Sequence, residues 1–329
     1  MNYFILAAAF LFAVLPTLHF MPGFIWIVKR NKGLMRVDEN KFSKPLVPSI
    51  GGVAMVTGFM GSLTTIIFIS VLFGLDSINL QFLLPALLSI TLISLLGLVD
   101  DMIVIPKRFT KPLITLYAAV PLMAVQGLNT VIHLPFIGGF DLGIFYNILF
   151  IPLALIFCSN AVNILSTYNG IETGLGAIVA SGMAIVALLK NDFTSALMLF
   201  ALIGVLLVFY KFNKFPARIF PGNVGTLFIG GTIAAAAIIG NSERAFAIMM
   251  VPFFLHFLFY SRNFYRFKPN MWAIPQKSGL LLCPYKKAYG LMHWLLLRGK
   301  LAEKGVVHRI FAFEAIFVVL AIALELVKI

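Results

Sequence analysis

The sequence predicts an all-α, polytopic membrane protein with about ten transmembrane helices. Three observations carry that prediction. First, 61% of the 329 residues are hydrophobic and 11% are charged, which no ordinary soluble domain matches. Second, the apolar residues come in continuous runs of the ~20 residues needed to cross a bilayer as a helix. Such runs are too long and too unbroken for the alternating strands of a membrane barrel. Third, the basic residues gather in alternate loops.

The expected spans are 2–28, 48–75, 80–99, 111–128, 144–162, 172–189, 194–210, 224–240, 244–261 and 308–328. They form a single integral-membrane domain over 1–329, with polar loops near 29–49, 100–111, 160–174, 211–223 and 262–307. The first run, Asn2 to Val28, has no basic leader and no evident cleavage site, so it is expected to be a retained span. All of the 25 Lys and Arg residues except Lys190, Arg244 and Lys328 fall in those loops or at their edges. By the positive-inside rule the loops are cytoplasmic and both termini lie outside. The net charge of +13 is therefore mostly topology, with an anionic substrate as a second cause, and it does not indicate nucleic acid. Cys158 and Cys283 are the only thiols and imply no disulfide framework.

The loops carry the chemistry. The first contains Asp38-Glu39-Asn40-Lys41, then Ser43-Lys44-Pro45, and enters the second span through Pro48 and the Gly51-Gly52 pair. That pair reads as a turn or as a close backbone approach to a ligand. The third span delivers Asp100 and Asp101 side by side, followed by Lys107, Arg108 and Lys111. Adjacent carboxylates repel each other and call for a compensating cation or metal. The alternative is an interface cluster that simply faces water. The fifth span ends in a stretch holding Asn160, Asn163, Asn169, Gly170 and Glu172, with no Lys or Arg. Asn160 and Asn163, three apart, are expected on one helical face. Capping and a turn at Asn169-Gly170 explain one asparagine but not all of them. Gly222-Asn223-Val224-Gly225-Thr226 precedes an apolar helix, an arrangement that suits phosphate or an ordinary helix cap. His256, on an apolar helix, reads as a packed or interfacial histidine. The outer loop 129–141 is rich in Gly and Pro and has no assigned role. Residues 280–300 are expected to form a surface helix, with Lys286, Lys287 and Arg298 among apolar neighbours.

Carboxylates, carboxamides and a glycine-rich helix start, all on one membrane face, suit a Mg²⁺ that keeps phosphate oxygens and water as its other ligands. That is the chemistry of phosphoryl transfer. A transporter or flippase for an anionic lipid or sugar-phosphate is the competing class, although no internal repeat supports it. A non-catalytic homologue that only binds is the third reading.

On these motifs the chain resembles the polyprenyl-phosphate N-acetylhexosamine-1-phosphate transferases. The resemblance runs along nearly the whole sequence. It is carried by Gly97-Leu98-Val99-Asp100-Asp101, by Asn160 to Leu165 with Asn169 to Gly174, by Gly222 to Thr226, and by Ser43-Lys44 through Gly52. Ser166 stands where the bacterial branch has an aspartate, which places the chain nearer the eukaryotic and archaeal dolichyl-phosphate branch.

The resemblance implies transfer of N-acetylhexosamine-1-phosphate, with GlcNAc-1-phosphate expected, from a UDP-sugar to polyprenyl or dolichyl phosphate. UMP is released, as the first step of lipid-linked glycan assembly. It implies Asp100, Asp101 and Lys111 as catalytic residues and Asn163 and Asn223 as ligands of Mg²⁺, with Mn²⁺ a possible substitute. Asn160, Asn169, Gly170, Glu172, Lys44, Arg266 and Lys268 are the implied substrate-binding residues, Asn169 near the uracil. It also implies a cytoplasmic active site in a plasma membrane, expected to be archaeal, and a homodimer as a possible assembly. Three departures stand out. Asn223 replaces an aspartate that binds the metal, which removes one negative charge. Lys111 lies one residue late, so Lys107 or Arg108 competes for its role. The last loop lacks the family's paired His/Arg signature, leaving Arg266 and Lys268 as the nearest cations.

Overall fold

The computed structural model describes residues 2–74, 78–103, 110–134, 138–262 and 270–327, without the side chains of Asn2, 110–114 and Leu134. Lys107, Arg108, Arg266 and Lys268 lie outside the described residues, as does the side chain of Lys111.

The fold is a helical bundle. Its main helices are α1 (Asn2–Lys29), α2 (Gly52–Phe73), α3 (Leu80–Ile103), α4 (Thr110–Met123), α5 (Ile151–Leu165), α6 (Ile171–Leu189), α7 (Phe193–Asn213) and α8 (Gly222–Ile239). They are followed by α9 (Glu243–Met249), α10 (Val251–Ser261), the short α11 (Leu291–Leu296) and α12 (Glu303–Leu326). Among the described residues eight helices are long and apolar enough to cross a membrane, or nine if the bent pair α9–α10 counts as one. The protein is an integral membrane protein. The span expected at 111–128 is represented by α4, which at 14 residues falls short of a full crossing. The span expected at 244–261 is broken: α9 and α10 meet at 55°. Pro252 lies in the first turn of α10, where its missing N–H costs no helical bond.

α8 is the central helix. The most apolar stretch of α8 is 89% buried, against 28% for α12 at the periphery. Composition explains the difference. α8 carries Gly225, Gly230, Gly231 and Ala234 through Ala237, small residues that let neighbouring backbones close in on every side. α2 meets it at a glycine pair. A Cβ on Gly52 would lie 2.2 Å from the backbone nitrogen of Gly225, so α2 and α8 reach this separation only without side chains there.

α1 runs toward the end of the bundle that holds Lys29 and the first polar loop, and α12 runs away from it, starting at Glu303. The start of α1 and the end of α12 thus lie at the far end. Arg244 at the start of α9 pairs there with Glu325 near the end of α12, at 3.0 Å.

Small antiparallel ribbons close the loops. β1 (Met35–Val37) pairs with β2 (Leu46–Pro48), and β3 (Val131–Leu134) with β4 (Gly138–Asp141). The last polar segment forms a three-stranded sheet, β5 (Ile274–Pro275), β6 (Leu280–Leu282) and β7 (Leu301–Ala302), in that order. This corrects the helix expected at 280–300. Only Leu291–Leu296 is helical. Gly290 is fully extended at φ −178°, so the helix begins only at Leu291.

Candidate active site

The polar loops converge on one end of the bundle around a cavity of about 780 Å³. Its rim comes from β1 and the turn after it, the ends of α3, α5 and α10, the starts of α6 and α8, and residues 270–272.

One pole of the site is built where α3 meets α8. Asp100 and Asp101 close the buried face of α3, at 5% and 9% exposure, so they are not a water-facing interface cluster. Asp101 accepts hydrogen bonds from the backbone N–H of Asn223 at 2.9 Å and of Val224 at 3.0 Å. It caps the first turn of α8 from a different helix, a job that Pro221 at the cap position cannot do with its own side chain. Gly222 makes room for it. The residue sits at φ +69°, and a Cβ there would come within 2.5 Å of Asp101 Oδ2.

Asp100 takes a different partner. Its Oδ2 accepts from Asn223 Nδ2 at 2.6 Å. Asn223 Oδ1 accepts in turn from Asn163 Nδ2 at 2.6 Å, and Asn163 also donates to Thr226 Oγ1 at 2.8 Å. The result is a chain, Asp100–Asn223–Asn163–Thr226, that links the ends of three helices. Asn163 Oδ1 has no hydrogen-bond partner among the described residues and belongs to a residue that lines the cavity.

These are hard oxygen donors. Among the described residues no group of three or more His, Cys, Asp and Glu side chains is placed to hold a metal ion, so a metal here would rest on carboxylate and carboxamide oxygens together. That set fits Mg²⁺ with phosphate oxygens and water as its remaining ligands.

The second pole is a buried ionic strut. Lys41 Nζ pairs with Asp38 at 3.2 Å and, more closely, with Glu303 at the start of α12. Asn169 stands at its centre. Its Nδ2 donates to Asp38 Oδ2 at 3.1 Å, its backbone N–H donates to Glu303 Oε1 at 2.8 Å, and its Oδ1 accepts from the Ala217 N–H at 2.8 Å. Asn40 extends the strut, donating to the Thr167 carbonyl at 2.6 Å and accepting from the Ala273 N–H at 3.0 Å. Gly170, at φ +79°, then turns the chain into α6, as the Asn-Gly pair predicts. The buried hydroxyl of Tyr168 has no hydrogen-bond partner among the described residues. Burial, Glu303 and Cys283 push its pKa above the usual tyrosine range, so it remains a hydroxyl.

The sequence-derived residues divide accordingly. Asp101, Asn163, Asn169, Glu172 and Asn223 line the cavity, and Asp100 backs it through Asn223. Glu172 lies in the first turn of α6, where the helix dipole favours a carboxylate. Asn160 does not join Asn163 in the site: its Nδ2 bonds back to the Ile156 carbonyl at 2.8 Å, one turn deeper in the bundle, where that carbonyl is its available partner. Lys44 is exposed and pairs with Glu39 at 2.8 Å, outside the cavity lining. His256 is fully buried and accepts the Leu291 N–H at 3.3 Å, a packed rather than an interfacial histidine. Glu303, Arg36 and Tyr168 carry parts of the site that the sequence motifs did not assign to them, and Thr226, the last residue of the Gly222–Thr226 motif, joins it through Asn163.

The profile described as "Glycosyl transferase family 4" matches residues 83–241, a stretch containing Asp100, Asp101, Asn163, Asn169 and Asn223. The chain is 35% identical over 306 residues to a protein of Saccharolobus solfataricus provisionally named UDP-N-acetylglucosamine–dolichyl-phosphate N-acetylglucosaminephosphotransferase, covering 92% of each. A Dictyostelium discoideum protein of that name is 30% identical over 244 residues, 64% of this chain and 56% of its own. The phospho-N-acetylmuramoyl-pentapeptide-transferase of Listeria monocytogenes is 31% identical over 258 residues, 74% of this chain and 78% of its own. With relatives aligned along nearly its whole length and a profile that runs through the paired aspartates and both asparagine clusters, the chain belongs to glycosyl transferase family 4.

Proposed function

We propose that the protein transfers GlcNAc-1-phosphate from UDP-GlcNAc to dolichyl phosphate and releases UMP. The observation that carries this reading is the chain Asp100–Asn223–Asn163–Thr226 on a cavity at one end of a membrane-spanning bundle. Relatives named for this reaction support the substrates. In the reaction a phosphate oxygen of the lipid forms a new bond to the β-phosphorus of UDP-GlcNAc. The bond from that phosphorus to the bridging oxygen breaks, and the oxygen leaves with UMP. Asp100 accepts the proton of a lipid phosphate that enters as the monoanion. Asp101, capping α8, holds the backbone of Asn223 in place beside it.

Mg²⁺ would be held by Asp100 and by the carboxamide oxygens of Asn163 and Asn223, and it would supply positive charge to the reacting phosphates. The asparagine at 223 has a consequence. Its amide bridges Asp100 and Asn163 without adding charge, so the pole is internally satisfied without a metal. Asn223→Asp should reverse that. Two carboxylates would then meet at 2.6 Å, so the variant should melt at a lower temperature in EDTA. It should also bind Mg²⁺ roughly tenfold tighter, a change of about 1.4 kcal/mol. Metal titration followed by thermal melting measures both effects; equal Mg²⁺ affinity in the two proteins would take Asn223 out of the metal site.

The loops at this end are rich in Lys and Arg, which supports a cytoplasmic active site with both termini outside. The deciding experiment uses purified protein in detergent with UDP-GlcNAc, dolichyl phosphate and Mg²⁺. UMP release that needs both lipid and metal is expected. Nucleotide binding without release, across several UDP-sugars, would favour a non-catalytic protein instead.

A further inference from the structure

The cavity is lined by four described carboxylate side chains, those of Asp38, Glu39, Asp101 and Glu172. Against them stands Arg36, the one Lys or Arg among the described residues that line it. A site for doubly phosphorylated ligands needs cations, so the charge balance around this cavity makes Arg36 informative. Lys41 does not supply that charge, because Asp38 and Glu303 already neutralise it. Lys44 is turned to Glu39.

Arg36 lies on β1 beside the C-terminal end of α3. Its Nη1 donates to the carbonyls of Gly33 at 2.9 Å and Met35 at 3.1 Å, and its Nη2 donates to the carbonyl of Asp101 at 3.1 Å. A guanidinium has five N–H donors. These bonds engage both Nη atoms and leave the Nε–H without a partner among the described residues. The Nε–H lies on the side-on edge of the guanidinium, one of the two edges with which an arginine meets phosphate oxygens. The three carbonyls also fix the plane of the group. Little rotamer freedom therefore remains to be lost when an anion binds.

We propose that Arg36 is a phosphate-binding residue of the cavity, its Nε–H edge receiving phosphate oxygen next to the Asp101–Asn223 junction. The proposal rests on the transferase reading above. Two substrates in that reading carry the required group, the pyrophosphate of the sugar nucleotide and the monoester of the lipid. The positive charge offsets the acids around it, and its bond to the Asp101 carbonyl ties phosphate binding to the helix end that bears both aspartates.

The test compares Arg36→Gln and Arg36→Lys with the full-length wild type in detergent. Equilibrium binding is measured for UMP against uridine, and for dolichyl phosphate against dolichol. Arg36→Gln should weaken one phosphorylated ligand by about 10-fold to 100-fold and leave its unphosphorylated partner within about twofold. Arg36→Lys, which keeps the charge but not the guanidinium edge, should fall between. A loss in the UMP arm assigns the nucleotide phosphate, a loss in the dolichyl phosphate arm assigns the lipid, and a loss in both places Arg36 between the two. Binding unchanged in both arms would overturn the proposal. So would equal losses for phosphorylated and unphosphorylated ligands, since Arg36 would then only fasten the first loop to α3. Because these readouts need no turnover, a wild type that binds but releases no UMP would reject the transferase reading and leave the Arg36 result standing.

Discussion

Asp100→Asn is expected to cut UMP release by about 10³-fold while UMP binding stays within a few-fold of wild type. The range for losing a positioned proton acceptor is about 10²–10⁴. The substitution keeps the shape and removes the charge. Asn223 Nδ2 now donates to Asp100 Oδ2 at 2.6 Å, and an asparagine carbonyl at position 100 can still accept that bond. The fold should therefore survive, and the loss should appear in the chemical step. Steady-state UMP release and calorimetric UMP binding check both halves. A variant that keeps more than about a tenth of the wild-type rate would remove Asp100 from the chemistry.

The neighbouring aspartate should behave differently. Asp101 uses both carboxylate oxygens on backbone N–H groups of α8. Asp101→Asn retains one acceptor and turns an amide toward the other N–H. A cap lost in this way costs about 1–2 kcal/mol, and the missing charge at the helix N-terminus adds a few tenths more. Stability should fall first, with activity following because Asn223 shifts. Thermal melting ranks the pair: Asp101→Asn should melt below Asp100→Asn. The reverse order would mean that Asp100, not Asp101, braces the helix.

Residue type and spacing revealed one half of this site. Asp100-Asp101, Asn163 and Gly222-Asn223 are unusual in an apolar chain, and each sits at the end of a long hydrophobic run. The bundle itself was equally legible, because a bilayer demands long apolar helices and leaves few alternatives. The other half was not legible. Lys41 and Glu303 are 262 positions apart, and nothing local to either marks the pair. Asp38 and Lys41 stood out as a polar loop without a function, and Arg36 as one more charge fixing topology. Asn160 misled because a shared helical face does not specify a shared partner: one turn deeper, the helix's own carbonyl was in reach. The surface helix at 280–300 misled because its mix of cations and apolar residues also suits a small sheet, in which Leu280–Leu282 pairs on both sides and Gly290 is extended.

The ionic strut should dominate stability. Lys41 is 16% exposed, and its partners Asp38 and Glu303 are 4% and 2% exposed. Lys41→Met leaves two buried carboxylates facing each other around Asn169, and breaking a buried pair from one side costs about 3–5 kcal/mol. Glu303→Gln should cost less, since Asp38 still balances Lys41 and the amide can still accept from the Asn169 N–H. In the double variant the repulsion is gone, and much of the loss should return. The cycle should therefore show a coupling of more than about 1 kcal/mol, well outside the additivity found for independent sites. Denaturant titration of the four proteins measures it. Additive effects, or a Lys41→Met loss below about 1 kcal/mol, would mean that water screens the strut as it screens a surface pair. A strong coupling would have a functional corollary. The strut ties the first loop and the turn at Asn169, which wall the cavity away from Asp100, to the start of α12 behind them. Weakening it should loosen nucleotide binding before it slows turnover, the opposite order from Asp100→Asn.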